Sequence, residues 1–288
     1  MAMFDTPLRY PGGKGRLTQH VIDLIEMNDL VGCHYAEAYA GGAGIAISLL
    51  YLEYADHIHL NDLDRSVYSF WRAILDHTEE FVRLVRETPF TVEEWRKQRA
   101  LQYAKEDTSL LELGFSTFYM NRTNRSGIIR GGVIGGIEQT GQWKMDARFD
   151  REKLIRRIEK AASFKSRISI YNHDALNLIT DVFPTLPARS LIYLDPPYYQ
   201  RTMGRLYHAS YKHDDHAKIA NQVHQITQPW IVSYDNVEPI REIYAPFRQQ
   251  QFGLRYTANR QYDATEVMIY CNGMKFPDQV QPFRGMAA

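Results

Sequence analysis

The sequence predicts an α/β fold, a mostly parallel sheet covered on both faces, with a mainly helical block inserted into it. Three observations support this. Strand-like and helix-like segments alternate up to about position 72 and again after 165. A glycine-rich turn separates the first strand candidate from the helix that follows it. Between the two alternating stretches lies a run of helical patterns and loop, so residues 1–72 and 165–288 are expected to form one domain and residues 73–164 a second, inserted one.

Taken in order, apolar spacing predicts a helix over 14–27 and a short strand over 33–38. After the glycine turn come a helix over 43–52 and a strand over 57–60 that runs into Asn61-Asp62. From 67 to 121 the pattern is helical, with Trp71 and Trp95 at core spacing. A further amphipathic helix is expected over 150–165, where Leu154, Ile155, Ile158, Ala161 and Ala162 share one face. Strand patterns resume at 168–171, 190–194, 230–234 and 266–270.

Composition narrows the function classes. With 44% hydrophobic and 24% charged residues, the 288-residue chain is long enough and apolar enough for a buried core. No stretch approaches the ~18 apolar residues of a membrane span, and the N-terminus lacks the apolar segment of a secretory signal. Two cysteines, Cys33 and Cys271, make neither a disulfide framework nor a four-thiolate zinc site, so a reducing cytoplasm is the expected compartment. No metal is expected: His208, His213 and His216 lack cysteine partners at metal spacing and read as surface or capping residues.

Net charge is zero, but its distribution is uneven. The window 122–167 holds twelve basic and five acidic residues, a local surplus of seven that can engage a polyanion. A solvated amphipathic helix would explain the charge of 150–165 equally well. The preceding stretch is less ordinary: Asn121-Arg122-Thr123-Asn124-Arg125-Ser126-Gly127, then Gly131-Gly132, Gly135-Gly136 and Gln139-Thr140-Gly141-Gln142-Trp143-Lys144. It lacks apolar periodicity and reads as a long loop, rich in the Arg and Asn side chains that suit base edges. Asn121, Arg122, Asn124, Arg125, Arg130 and Lys144 are therefore candidate nucleic-acid contacts, and Trp143 is a stacking or loop-anchoring residue.

Two motifs carry chemistry. Glu37-Ala38-Tyr39-Ala40-Gly41-Gly42-Ala43-Gly44 lies between strand and helix, where glycines let a ligand approach the backbone and a helix N-terminus offers N–H groups. Asp62, 21 positions after Gly41, ends the next strand where an acid suits ribose hydroxyls. Neither this segment nor Pro11-Gly12-Gly13-Lys14 is a P-loop. Lys14 at a helix start opposes the dipole, which favours a ligand carboxylate as its partner. The second motif, Leu191-Ile192-Tyr193-Leu194-Asp195-Pro196-Pro197-Tyr198, ends a buried strand in an acid and a stiff diproline exit. An exocyclic amine such as adenine N6 is a poor nucleophile, because its lone pair is delocalised into the ring. Asp195 and the Pro196 carbonyl, accepting its two N–H bonds, would localise that lone pair, with Tyr198 as a stacking face.

In combination, Arg9-Tyr10-Pro11-Gly12-Gly13-Lys14, the segment from Glu37 to Gly44, Asn61-Asp62, Asn121-Arg122, Asn172-His173-Asp174, Asp195-Pro196-Pro197-Tyr198 and Ser233-Tyr234-Asp235 resemble the Dam-like (D12 class) DNA adenine-N6 methyltransferases. The resemblance covers most of the chain and implies a Rossmann-like sheet, S-adenosylmethionine as cofactor, and a target-recognition domain between the glycine turn and Asp195. It implies cofactor contacts at Tyr10, Lys14, Asp62 and Asp195, with Asp62 on the ribose and Asp174 near the cofactor's adenine. Tyr39, Gly41 and Gly42 would shape the pocket, while Glu37 would touch the cofactor or organise the turn. Two positions depart from the family: Tyr39 stands where Phe is usual, and Arg125 stands where an aromatic tends to wedge into the duplex.

The expected reaction is methyl transfer to adenine N6 in double-stranded DNA, by a monomer or by a dimer formed on DNA. Methylation of another planar amine, in RNA or a protein amide, is the alternative reading, and an inactive DNA-binding homologue is a second.

Overall fold

The computed structural model describes residues 6–9, 14–199, 212–256 and 262–280. Strands β1 (Cys33–Glu37), β2 (Ala55–Asn61), β3 (Ile168–Tyr171), β4 (Ser190–Leu194), β5 (Trp230–Asp235), β6 (Arg248–Tyr256) and β7 (Tyr262–Tyr270) form one sheet in the order β3-β2-β1-β4-β5-β7-β6. The five strands at one end are parallel, and β7 and β6 run antiparallel at the other. The antiparallel end follows from chain length. Only 257–261 separate β6 from β7, too few residues for the crossover a parallel pair needs.

Each strand expected from the sequence is present, and β6 is the one that was missed. Its Arg248-Gln249-Gln250-Gln251 start is polar because it lies on the sheet edge. Strands β1, β4 and β5 are buried almost throughout, since helices cover both of their faces. A turn of 3-10 helix at Lys14–Leu17, α1 (Thr18–Met27) and α2 (Gly44–Tyr51) pack one face. The opposite face packs against the short α8 (Ala175–Asn177) with its continuation, α9 (His213–Val223) and α10 (Glu238–Ile243).

The chain leaves β1 toward β2 and β3 on one side, and runs from β4 to β5 on the other. The tips of β1 and β4 therefore flank the crevice where such sheets bind ligands. Glu37 and Tyr193 are register partners at that point, and Asp195 follows directly.

Between β2 and β3 the chain forms α3 (Arg65–Asp76), α4 (Thr78–Glu87), α5 (Val92–Tyr103), α6 (Leu110–Thr123) and α7 (Arg151–Ser163), and the boundary expected at 72/73 falls inside α3. Asp64, Thr91, Ser109 and Asp150 cap α3, α5, α6 and α7 by accepting first-turn N–H groups. Phe70, Phe81, Phe118 and Phe149 interlock edge to face between them, and Trp71 and Trp95 are buried as their spacing predicts. Helices α3 and α6 approach closely at Gly114, where a Cβ would lie 2.5 Å from the Ser69 carbonyl oxygen and 2.7 Å from the Ala73 Cβ.

On the β1–β2–β3 end of the sheet, His34, His57 and His59 stack ring on ring. His34 Nδ1 lies 3.0 Å from His59 Nε2, and the Tyr171 hydroxyl lies 3.0 Å from His59 Nδ1. Burial, with the neighbouring charges of His57 and His34, lowers the His59 pKa to about 3.

Two outcomes follow. Gly114→Ala should destabilise the protein by about 1–3 kcal/mol in urea unfolding, although Ala is the better helix former, because the helices must separate. A histidine whose folded-state pKa is lowered costs stability as pH falls through its unfolded value near 6.5. The wild type should thus lose about 2 kcal/mol through His59 between pH 7 and pH 5. His59→Gln should flatten that part of the stability profile.

Candidate active site

The first half of the site is built where β1 meets α2. Glu37 ends β1, and its Oε1 accepts the Ala46 N–H at 3.0 Å, so the strand's last side chain caps the next helix. Burial pushes its pKa up to about 8. The turn needs left-handed backbone at Gly41 (φ 47°) and Ala43 (φ 47°), and glycine at 41 adopts it without strain. Three side chains hold the turn from other elements. Asp62 Oδ2 accepts the Gly41 N–H at 3.0 Å, the Trp71 indole N–H donates to the Gly41 carbonyl at 3.0 Å, and the Thr6 hydroxyl donates to the Gly42 carbonyl.

Asp62 Oδ1 also accepts the Asp64 N–H, and burial raises the Asp62 pKa to about 7. Asn61 joins three strand tips: its amide donates to the Ala38 and His173 carbonyls and accepts the His173 N–H. Asp174 caps α8 by accepting the Leu176 N–H. Gly41, Gly42 and Asp62 are thus brought together, Tyr39 is half-buried beside them, and Glu37 is turned toward α2. Tyr10 lies outside the described residues.

The second half centres on Lys14, which is 8% exposed. Its ammonium lies 2.9 Å from Asp195 Oδ1 and 3.3 Å from Glu266 Oε2, donates to the Tyr198 hydroxyl, and stands 4.7 Å from the Tyr198 ring centroid. Tyr198 in turn donates to Glu266 Oε1. Ser233 donates to Asp195 Oδ1 at 2.7 Å and lies 2.8 Å from the Tyr193 hydroxyl. Burial opposes charge on Lys14, but Asp195 and Glu266 outweigh it and hold the amine protonated above the usual lysine range. Burial raises the Glu266 pKa, with Lys14 pulling against it. The diproline exit is fixed beyond the motif, where Asp235 accepts the Tyr199 N–H at 2.9 Å, and Pro196 is buried.

Three expectations change here. Tyr198 is not an open stacking face: it is 9% exposed, with its hydroxyl held by Glu266 and Lys14. Lys14 meets carboxylates of this chain rather than waiting for one on a ligand. His216 is a core residue, 1% exposed and 3.0 Å from the Tyr234 hydroxyl, not a surface one; His213 is exposed and His208 lies outside the described residues. Sequence reasoning missed Glu266, Ser233 and Trp71 as supports of the site. For Glu266 a signal existed, because it is a charged residue heading the apolar run Val267-Met268-Ile269-Tyr270.

The candidate nucleic-acid contacts divide. Arg125, Arg130 and Lys144 are exposed, as is Trp143 at 65%. Asn121, Arg122 and Asn124 are buried, because α6 continues past the expected start of the loop. Asn121 bonds the backbone of Arg9 and Gly127, and Arg122 donates to the Pro7 carbonyl. Asn124 holds the Ile128 and Ile129 carbonyls and accepts the Trp95 indole N–H. These three fasten the loop's root and do not face outward. Farther along, Gln139 donates to the Ile134 and Gly136 carbonyls and accepts the Met145 N–H, which stiffens the segment carrying Trp143.

Among the described residues, no group of three or more His, Cys, Asp or Glu is assembled to hold a metal, and no helix is long and apolar enough to cross a membrane. The sequence model of the D12 class N6 adenine-specific DNA methyltransferase family matches residues 10–257. No individually curated protein matches the chain. Solved structures with a similar course include PH1948 from Pyrococcus horikoshii, at 10% identity and TM-score 0.44, covering 92% of this chain and 85% of that one. Another is the rRNA methyltransferase aviRa from Streptomyces viridochromogenes, at 11% identity and TM-score 0.41, covering 91% and 86%.

The buried ion cluster should be sensitive to loss of a single partner. Glu266→Ala leaves Lys14 and the Tyr198 hydroxyl under-satisfied, and should lower unfolding free energy by about 3–5 kcal/mol. Glu266→Gln, which keeps an acceptor, should cost less in the same denaturant titration.

Proposed function

The chain belongs to the D12 class N6 adenine-specific DNA methyltransferase family, and from that membership we propose that it methylates N6 of an adenine flipped out of double-stranded DNA. S-adenosylmethionine is the methyl donor, and its sulfonium supplies the electrophilic carbon and the driving force. Residues 1–72 and 165–288 serve catalysis in this reading, and residues 73–164 recognise the target.

The donor set fits such a cofactor. Asp62 sits at the β2 tip with its carboxylate against Gly41, placed to accept from a ribose diol. The Gly41-Gly42 backbone, fixed by Trp71 and Thr6, carries no side chain of its own before the start of α2. By resemblance, Tyr39 shapes the pocket, Asp174 lies near the cofactor's adenine and Tyr10 completes the set.

The observation that carries the reaction is the anchoring of Asp195. Both of its described donors, Lys14 and Ser233, fall on Oδ1, so the carboxylate is oriented and its Oδ2 is the oxygen assigned to the N6–H of the substrate. The Pro196 carbonyl takes the second N–H. Together they draw the amine toward a pyramidal geometry and localise its lone pair. Lys14, Glu266 and Tyr198 hold that corner rigid, and a corner fixed before reaction needs no reorganisation when charge develops. Arg125, Arg130 and Lys144 supply phosphate and base contacts from the exposed loop, and Trp143 supplies a stacking face.

Incubation with plasmid DNA and methyl-labelled S-adenosylmethionine should place the label on adenine N6. Label appearing on RNA or protein instead would overturn the assignment. Asp195→Asn should lower the methylation rate by at least about 100-fold, the scale of losing one preorganised polar group. Duplex affinity, which rests mainly on phosphate contacts, should change by less than about threefold in a gel-shift titration.

A further inference from the structure

Two of the side chains that turned inward, Asn121 and Arg122, meet on one short piece of backbone, whose Thr6 reaches the glycine turn. Residues 6–9 form a strap between the root of the exposed loop and the glycine turn. At one end, Asn121 Oδ1 accepts the Arg9 N–H at 2.8 Å while its amide donates to the Arg9 carbonyl and, at 2.8 Å, to the Gly127 carbonyl. One side chain thus reads both polar groups of Arg9 and the first turn of the loop. Gly127 is pressed against the same place: with φ 75°, a Cβ there would lie 2.7 Å from the Arg9 carbonyl oxygen. Between the ends, Arg122 donates to Pro7, and Arg157 on α7 donates to Thr6 at 3.3 Å. At the other end the Thr6 hydroxyl donates to the Gly42 carbonyl.

We propose that Asn121 is a positioning residue that couples DNA occupancy of the 125–144 loop to cofactor occupancy of the glycine turn, acting through residues 6–9. The inference rests on the reading of that loop as DNA-facing. Gly127 lies two residues from Arg125 and three from Arg130, so phosphate contacts at those side chains bear directly on the Arg9 backbone. Close packing leaves no slack at this junction, and a displacement of Gly127 passes to Arg9 rather than being absorbed. Thr6 delivers it to Gly42, whose backbone shapes the cofactor cradle. By linkage the effect is reciprocal: whatever factor DNA exerts on cofactor affinity, cofactor exerts on DNA affinity.

The test measures the dissociation constant of S-adenosylhomocysteine by calorimetry, with and without saturating plasmid DNA, and takes the ratio. The wild type should show a ratio of about fivefold or more, in the ordinary range of coupled sites. Asn121→Ala should bring the ratio to within about twofold of unity, whereas a merely structural role would lower Tm and leave the ratio alone. Thr6→Val is the second variant. It is close in volume, removes only the hydroxyl on Gly42, and should collapse the ratio even if Asn121→Ala fails to fold. A wild type that binds DNA with a ratio near unity, or a wild-type ratio that persists in the folded variants, overturns the coupling and leaves the functional reading standing. A wild type that takes no DNA overturns the reading and the coupling with it.

Discussion

A lysine ammonium withdrawn from water is expensive, by several kcal/mol even after the surroundings relax, unless every proton finds an acceptor. Lys14 donates to Asp195 and Tyr198 and pairs with Glu266, groups drawn from the exit of β4 and from β7. The consequence is architectural. The N-terminal turn, the diproline corner and the antiparallel end of the sheet are fixed relative to one another by a single charge. The orientation of Asp195, on which the proposed chemistry depends, is set by that charge and by Ser233 from β5.

The other half of the site relies on neutral geometry. A left-handed glycine, an indole and a carboxylate from β2 hold the backbone of one turn, and the strand before it caps the helix after it. Trp71 comes from α3, the first helix after β2, so the helices between β2 and β3 and the glycine turn share a side chain as well as a core. The two halves differ in what would disturb them: charge removal for the first, loss of packing or backbone freedom for the second.

How much of this was legible beforehand depends on whether a residue's role is local. Strands with unbroken apolar runs, such as Leu191 to Leu194, announce themselves, as do Asp62 and Asp195 at strand ends. The polar edge strand β6 does not, because an edge position removes the apolar signal that defines a strand. Asn121, Arg122 and Asn124 look like Arg125 and Arg130 in sequence. Only the extra residues of α6, with distant backbone at Pro7 and Arg9 to satisfy, separate a buried amide from an exposed guanidinium. Glu266 stands out as a charge heading an apolar run, but its partners do not: Tyr198 is 68 positions away and Lys14 much farther, and no spacing rule reaches that far.

That last separation has a consequence for synthesis. Lys14 leaves the ribosome well before Glu266, which lies on β7. Because domains fold as units while chains emerge from the N-terminus onward, the nascent polypeptide carries its glycine turn and basic loop long before the acidic corner can close around the ammonium. Closure of the ion cluster therefore waits until β7 has emerged, so a product truncated before β7 would carry the exposed basic loop without the closed acidic corner.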